Sequence, residues 1–434
     1  MKEQIVSGWG GFPKIKAKLY EAWEREEIPY LVDKISQGIP LALGRSYGDS
    51  ALARKILLVK RLNHLLSFDP QTGLLRAEAG VSLREIIQVF LPRGWFLPVV
   101  PGTQFVTLGG AVAADIHGKN HHHHGCFSEF VEELLLFIPG KGLIRTSRKE
   151  NQELFYATCG GMGLTGIILE VSLRLRQVPS AFIEQTTILL SGLEEILEAF
   201  EEYQQALYSV SWVDCSARDP FSRAVLFIGE HAKEAPLKTP SKEPKGLPLT
   251  SPVSLIHPWS IRLFNWLYYR RASRRPQTSL VPIEEFFFPL DKWHHWNRLY
   301  GPKGFLQYQF VIPKTEGLNA LKEIAREIRK AGISSSLAVL KLFGSENKNL
   351  LSFPMEGYTL ALDFPYSEEL FTLLERLDQI VLESGGRFYL AKDARLKASV
   401  FEKGYPQIDR FRYLREKLGL QTKLQSLQSQ RLNL

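Results

Sequence analysis

Hydrophobic and polar positions along this chain switch repeatedly between a two-residue and a 3.6-residue period. Short apolar or alternating runs predict strands at 39–44 (IPLALG), 56–60 (ILLVK), 74–80 (LLRAEAG) and 164–175. Between them, 82–94 reads as a helix that Ser82 caps and Pro92 and Gly94 close. After Pro179 the composition changes, which predicts a domain boundary. Strands at 182–190 (FIEQTTILL) and 223–229 (RAVLFIG) then flank a helix at 193–207. Residues 232–253 are rich in Lys, Pro and Ser and have little to bury, so they read as a mobile loop. Further strands follow at 305–312 (FLQYQFVI), 336–343 and 358–364, with helices near 316–331 and over 368–384. In FLQYQFVI, Gln307 and Gln309 share one face and Leu306, Tyr308, Phe310 and Ile312 the other. The amide face is either solvated or aimed at something polar. Residues 101–125 follow neither period and read as a long loop built around a ligand.

At 434 residues the chain exceeds one ordinary core, so two domains are expected. Its three cysteines, Cys126, Cys159 and Cys215, form neither a disulfide framework nor a zinc spacing, which suits a reducing compartment. No run reaches bilayer-spanning length and the first residues lack a secretory pattern. A cytoplasmic location, with peripheral contact at the inner membrane face, is therefore expected. The formal charge of +8 calls for an anionic partner. No zinc-finger or RNP pattern supports nucleic acid, which leaves a phosphate-bearing cofactor, a phosphorylated substrate or a phospholipid surface. Between 254 and 276, aromatic residues precede Arg270, Arg271, Arg274 and Arg275. This segment is either a membrane-interface element or a basic surface loop after a buried helix.

Three glycine-bearing segments carry the candidate chemistry. Gly44-Arg45-Ser46-Tyr47-Gly48-Asp49-Ser50 follows a short strand and reads as a phosphate-binding turn or an ordinary strand-to-helix turn. The second, PGTQFVTLGGAVAADIHGKNHHHHG, sets Gly109, Gly110, Ala111, Ala113 and Ala114 where backbone could lie against a large ligand. The third, Cys159 to Ile168, is a close turn into a strand, suited to a flavin or adenine edge or to a β-bulge. Neither a Walker A nor a Rossmann fingerprint appears at a strand–helix junction. His121 to His124 lack matching Cys or carboxylate spacing, so no metal is expected.

In that order, GRSYGDS, PGTxxVTLGGAVAxDIHGKNHH and GGxGLTGII resemble the FAD domain of the vanillyl-alcohol-oxidase superfamily. More narrowly the chain resembles the decaprenylphosphoryl-β-D-ribose 2′-oxidases, through further matches at Trp296-Asn297-Arg298, Lys341-Leu342-Phe343-Gly344, Asp363-Phe364-Pro365 and Tyr389-Leu390-Ala391-Lys392-Asp393. The resemblance implies an α+β, two-domain PCMH-type FAD-binding fold whose substrate domain is built on an antiparallel sheet. FAD-domain segments at 1–180 and 387–434 would enclose a substrate domain at 181–386. It implies cofactor contacts from Gly44, Arg45, Ser46, Tyr47, Gly48 and Asp49. Others would come from Pro101, Gly102, Thr103, Thr107, Gly109, Gly110 and Ala114, and from His117, Gly118, Asn120 and His121. Gly161, Gly163, Gly166, Ile167 and Tyr389 complete the cofactor set. Relatives with a tethered flavin carry a histidine where Tyr47 stands, and a phenol cannot form that link, so noncovalent FAD is expected.

The implied activity is oxidation of the ribose 2′-hydroxyl on a polyprenyl-phosphate sugar, half of an epimerisation that a separate NAD(P)H-dependent reductase would complete. Lys392, His117 and Tyr47 carry over as catalytic residues. His117 is the natural proton acceptor because a free imidazole titrates near neutrality. Lys119, Gln307, Gln309 and Lys341 would join Lys392 in lining the substrate site. Family members carry a tyrosine, an asparagine and a cysteine where this chain has Phe287, Thr359 and Ala361, differences that bear on the sugar pocket. Two other functions remain open: an aldonolactone or alditol oxidase on the same scaffold, and a non-catalytic binder of anionic lipid.

Overall fold

A computed structural model of the chain describes residues 2–216, 218–238, 245–246, 250–274 and 276–434. Three main sheets organise it. The first is four-stranded, ordered Lys2–Ser7, Lys14–Glu21, Lys55–Leu58, Ile39–Leu41. The second is a five-stranded antiparallel sheet, Leu65–Asp69, Leu74–Glu78, Ile167–Arg174, Val131–Ile138, Gly142–Ser147. The third has eight antiparallel strands: Thr278–Pro282, Phe182–Leu190, Ala224–His231, Tyr208–Val213, Leu337–Phe343, Gly357–Pro365, Phe305–Ile312 and Arg387–Phe388. The C-terminal segment therefore adds an edge strand to the third sheet before it crosses back. There Arg415 donates to Leu164 O and Leu424 O, and Gln425 N donates to Gly38 O.

Amphipathic helices cover the large sheet. Gly317–Ala331 buries Leu321, Ile324 and Ile328, and Glu368–Glu383 buries Leu370, Leu373, Leu374 and Leu377. Each such side chain contributes about 1.5–3 kcal/mol of burial. The same core runs on into the first sheet through Leu19, Ile39 and Ile56. Because that core is continuous, loops of the first sheet are held against one face of the third.

Most periodic segments form the elements their patterns predict, the strand Phe182–Leu190 among them. The helix expected at 193–207 ends earlier, at Glu202. Residues 101–125 depart from the expectation of unbroken loop, since Leu108–Ala113 is a helix and His121–His124 a single helical turn. Only Leu108 and Val112, one turn apart, stand out among the glycines and alanines of the helix, too short a stripe to set a period. The helix is held by the Thr107 hydroxyl, which accepts from Gly110 N. Of the mobile loop expected at 232–253, residues 239–244 and 247–249 lie outside the described residues, as does Arg275.

Candidate active site

The site forms where one face of the eight-stranded sheet meets the loops of the first two sheets. Strand register puts Gln307 opposite Asp363, Gln309 opposite Ala361, and Lys341 opposite Thr359. Alternation then sends these polar side chains to the same face. Onto that face the chain lays Tyr47, His117, Tyr389 and Lys392. Of the two readings of the Gln307 and Gln309 face, the solvated one is ruled out, for Gln309 is buried.

The first glycine segment is clamped from behind. Trp9 N and Gly10 N donate to the carbonyls of Ser46 and Tyr47, and Tyr47 N donates to Ala391 O. A Cβ on Gly48 would stand 1.8 Å from Asp393 O, so only glycine lets these loops meet. Among the described residues the amides of Arg45, Ser46 and Gly48 donate to no backbone carbonyl. Arg45 lies over the Trp9 ring at 4.0 Å, its buried Nε without an acceptor. A Cβ on Gly102 would meet nothing within 4 Å. Unpaired donors around open backbone fit an anionic dinucleotide, whose diphosphate oxygens would supply the missing acceptors.

The other expected cofactor residues divide into those that face this space and those that build its walls. Gly163 and Gly44 adopt positive φ, and an added Cβ would make ordinary contact, 3.6 Å from Pro40 and 3.7 Å from Leu41 respectively. Pro101 and Thr103 flank Gly102, and the Thr103 hydroxyl accepts from Phe105 N. Gly109 packs on Ala79, Gly118 is hemmed in by Asn120 and Val100, and Gly161 abuts Ala157 O. Gly166 is the φ +153 hinge into the strand that Ile167 opens, and packs against Ile138. Ala114 offers its carbonyl to the Tyr389 hydroxyl at 3.0 Å. Asp49, expected at the cofactor, is instead paired with Arg431, which also holds Asp393 at 2.8 Å. Asn120 and His121 are likewise turned to structural work. Asn120 donates to Pro98 O, while His121 accepts from Gly344 N and lies 3.5 Å from Cys126 Sγ.

Lys392 stands at the centre of the site. Its ammonium sits 3.9 Å over the Tyr47 ring. Desolvation pulls its pKa below the ordinary lysine value, Asp363 pushes it back up and Lys341 lowers it further. Asp363 is fully buried; desolvation raises its pKa, while a hydrogen bond from Gln307 and the Lys392 charge lower it. Lys341 is lowered to about 8 and Lys119 to about 7, both chiefly by desolvation. Lys119 donates to Phe286 O and lies over the Phe286 ring at 4.1 Å. Lys392 alone of these three lysines has the Asp363 carboxylate beside it, while Lys341 lowers both Lys119 and Lys392, a balance that favours an anionic guest.

His117 corrects the sequence-based expectation. Desolvation and the nearby Lys341, His121 and Lys392 pull its pKa well below 6.5, so it does not titrate near neutrality. Its ring is enclosed by Phe343, Phe353 and Tyr389. The Thr359 hydroxyl donates to Phe310 O at 2.8 Å and so accepts from Gln309 Nε2 at 3.2 Å. The same amide nitrogen then donates to His117 Nε2 at 3.2 Å. A neutral ring consequently carries its proton on Nδ1, facing Lys341 Nζ at 3.5 Å. Gln309 thus fixes the ring through Nε2, while the Nδ1–H and the Lys341 ammonium are two donors that face each other and make no bond.

The three residues that differ from family members are placed unequally. Thr359 is fully buried and acts through Gln309 rather than lining open space. Phe287 is packed among Phe96, Tyr208 and Phe286, and reaches the site only beneath Lys119. Ala361 is half-buried on the active face beside Gln309.

Comparison with known proteins agrees with this architecture. Residues 34–147 match the family described as FAD binding domain. The decaprenylphosphoryl-β-D-ribose oxidase of Mycolicibacterium smegmatis is 36% identical over 425 residues, 93% of this chain and 92% of that protein. The chain belongs to the decaprenylphosphoryl-β-D-ribose oxidase family. It is an FAD-dependent oxidoreductase with a two-domain α+β, PCMH-type fold. A protein of the mprA 5′ region of Streptomyces coelicolor is 30% identical over 77% of this chain and 95% of its own length. The L-gulonolactone oxidase of Scyliorhinus torazame is 23% identical over 90% of each chain.

Two residues of the site escaped assignment from sequence. Asp363 belongs to the Asp-Phe-Pro motif, and its alternation with Thr359 and Ala361 could have placed it on the active face. Asp115 precedes His117 in the second glycine segment; its partners at 347–352 are remote in sequence and could not be read from it. An open hollow of about 790 Å³ between Arg25, Arg76 and Glu170 shares no residue with this site. There Glu170 is already matched by Arg25 at 2.7 Å and by Arg76 Nε at 2.8 Å.

Proposed function

We propose that this protein oxidises the 2′-hydroxyl of a polyprenylphosphoryl-β-D-ribose to the 2′-keto sugar, the first half of an epimerisation to the arabinose form. The observation that carries this reading is the 36% identity, over nearly the whole chain, with a relative named for that substrate. The electrostatics support it. Desolvation lowers the proton affinity of Lys119, Lys341 and Lys392, only Lys392 has the Asp363 carboxylate to offset it, and a sugar phosphate would supply further negative charge. A neutral polyol would leave them as they are.

FAD supplies the acceptor for the two electrons removed from the carbinol. The protein's own residues do the rest. Lys392, held over Tyr47 and balanced by Asp363, binds the reacting oxygen or offsets negative charge developing at the cofactor. Gln309, fixed by Thr359, orients His117, and Phe343, Phe353 and Tyr389 keep water from it. A separate NAD(P)H-dependent reductase would return the keto sugar as the arabinose form.

Anaerobic stopped-flow mixing tests the substrate. Polyprenylphosphoryl ribose should bleach the flavin band near about 450 nm, whereas free alditols and aldonolactones should not. Bleaching by the soluble sugars alone would transfer the assignment to an aldonolactone-type oxidase. The tether has its own test. With tyrosine at position 47, acid precipitation should leave the yellow chromophore in the supernatant; colour retained in the pellet would mean a covalent link elsewhere.

A further inference from the structure

The helix Pro258–Ala272 carries its apolar residues on the wrong side for a soluble protein. Its inward face is narrow: Ile261, Asn265 and Ala272 are buried, and Ala272 packs with Trp212 and Val225 of the large sheet. Asn265 is anchored by a 2.7 Å hydrogen bond to Asp214. Trp259, Leu263, Trp266 and Leu267 recur at three- and four-residue steps on the opposite face, where they are 62%, 51%, 43% and 51% exposed. Phe264 beside them, and Val253 and Leu255 on the approach to the helix, are also exposed.

Arginines surround this outward face. Arg270 lies 5.0 Å over the Trp266 ring, and Arg262, Arg271 and Arg274 are exposed around it. No acidic residue occurs between Ser251 and Gln277. Isolated exposed apolar residues are ordinary, but a contiguous aromatic stripe on one helix is not. Among the described residues no helix is long and apolar enough to cross a membrane. The element therefore suits lying along a surface rather than passing through it.

We propose that the outward face of Pro258–Ala272 docks the protein on an anionic phospholipid bilayer. Trp259, Leu263, Trp266 and Leu267 enter the headgroup–acyl boundary, and the flanking arginines meet lipid phosphates. Charge complementarity selects the bilayer over a second copy of the chain, because pairing two such faces would bring their arginines together. The docking does not rest on the substrate reading, since it involves none of the residues of the site.

Vesicle sedimentation of the FAD-loaded protein tests it. The protein should co-sediment with vesicles of phosphatidylcholine and phosphatidylglycerol, and far less with phosphatidylcholine alone. Arg270→Gln with Arg271→Gln should weaken partitioning about twenty-five-fold, at about five-fold per arginine. Leu263→Gln with Leu267→Gln should weaken it as strongly, and binding should shift the tryptophan emission of the unaltered protein to shorter wavelength. FAD content and flavin bleaching by a detergent-solubilised substrate should stay unchanged in both variants, which separates docking from catalysis. Undiminished sedimentation of the variants, or no sedimentation of the unaltered protein, would overturn the proposal. So would a concentration-dependent dimer that the same substitutions dissolve, since the face would then be an interface between copies.

Discussion

Lys392→Ala lowers turnover by about 10²–10³-fold while FAD stays bound, the size of loss typical when one charge stabiliser is removed from a desolvated site. Tyr389 shares the segment of Lys392, but the glycine turns placed around the cofactor space lie on other loops, so cofactor content, read from the visible spectrum, should not fall with kcat. The lysine acts as a cation in this reading. Activity should therefore decline as pH rises through its pKa, which desolvation lowers and Asp363 partly restores. Asp363→Asn removes that support, so the decline in kcat/KM should move to lower pH. His117→Ala should cost less than Lys392→Ala, because desolvation lowers the affinity of the ring for a proton and Gln309 already holds its Nε2. Turnover that survives Lys392→Ala, or a pH limb that moves upward in Asp363→Asn, would remove the role assigned here.

Asp115→Ala destabilises the fold by about 3–5 kcal/mol, measured as unfolding free energy in denaturant, and loosens FAD. Asp115 is fully buried and accepts four hydrogen bonds. Ser128 N donates to Oδ1 at 3.1 Å, while Asn347, Asn349 and Ser352 converge on Oδ2 at 2.8, 2.7 and 2.6 Å. Alanine takes this acceptor from all four, and of the two asparagines only Asn349 keeps another, Ser128 Oγ at 2.8 Å. The new residue must also adopt φ +38, a region aspartate tolerates better than alanine. The damage reaches the site because Asp115 fixes the turn that delivers His117. Asp115→Asn keeps the shape but brings a third side-chain amide among four donors, so it should recover little. Unfolding free energy unchanged in Asp115→Ala would mean that the loop holds without this knot.

Much of the fold was legible because burial leaves a period in the sequence. The strand Phe305–Ile312 and the helix Glu368–Glu383 show theirs plainly. Leu108–Ala113 did not, since Leu108 and Val112 alone among glycine and alanine are too short a stripe to set a period. Composition also could not tell which glycines border open space. Gly102 does, whereas Gly109 and Gly161 are spaced for packing.

The ordered glycine motifs and the lysine near the C-terminus determined the family and its cofactor, because those features are local strings and need no partner to be recognised. The tertiary structure decided the electrostatics. Only folding brings Lys341, Lys392, Asp363 and His117 from distant stretches into one desolvated pocket, and only there does the imidazole lose the titration that a free histidine would have. A pKa depends on what surrounds a group in space, and neighbours in space are fixed by strand register and loop contact rather than by position along the chain.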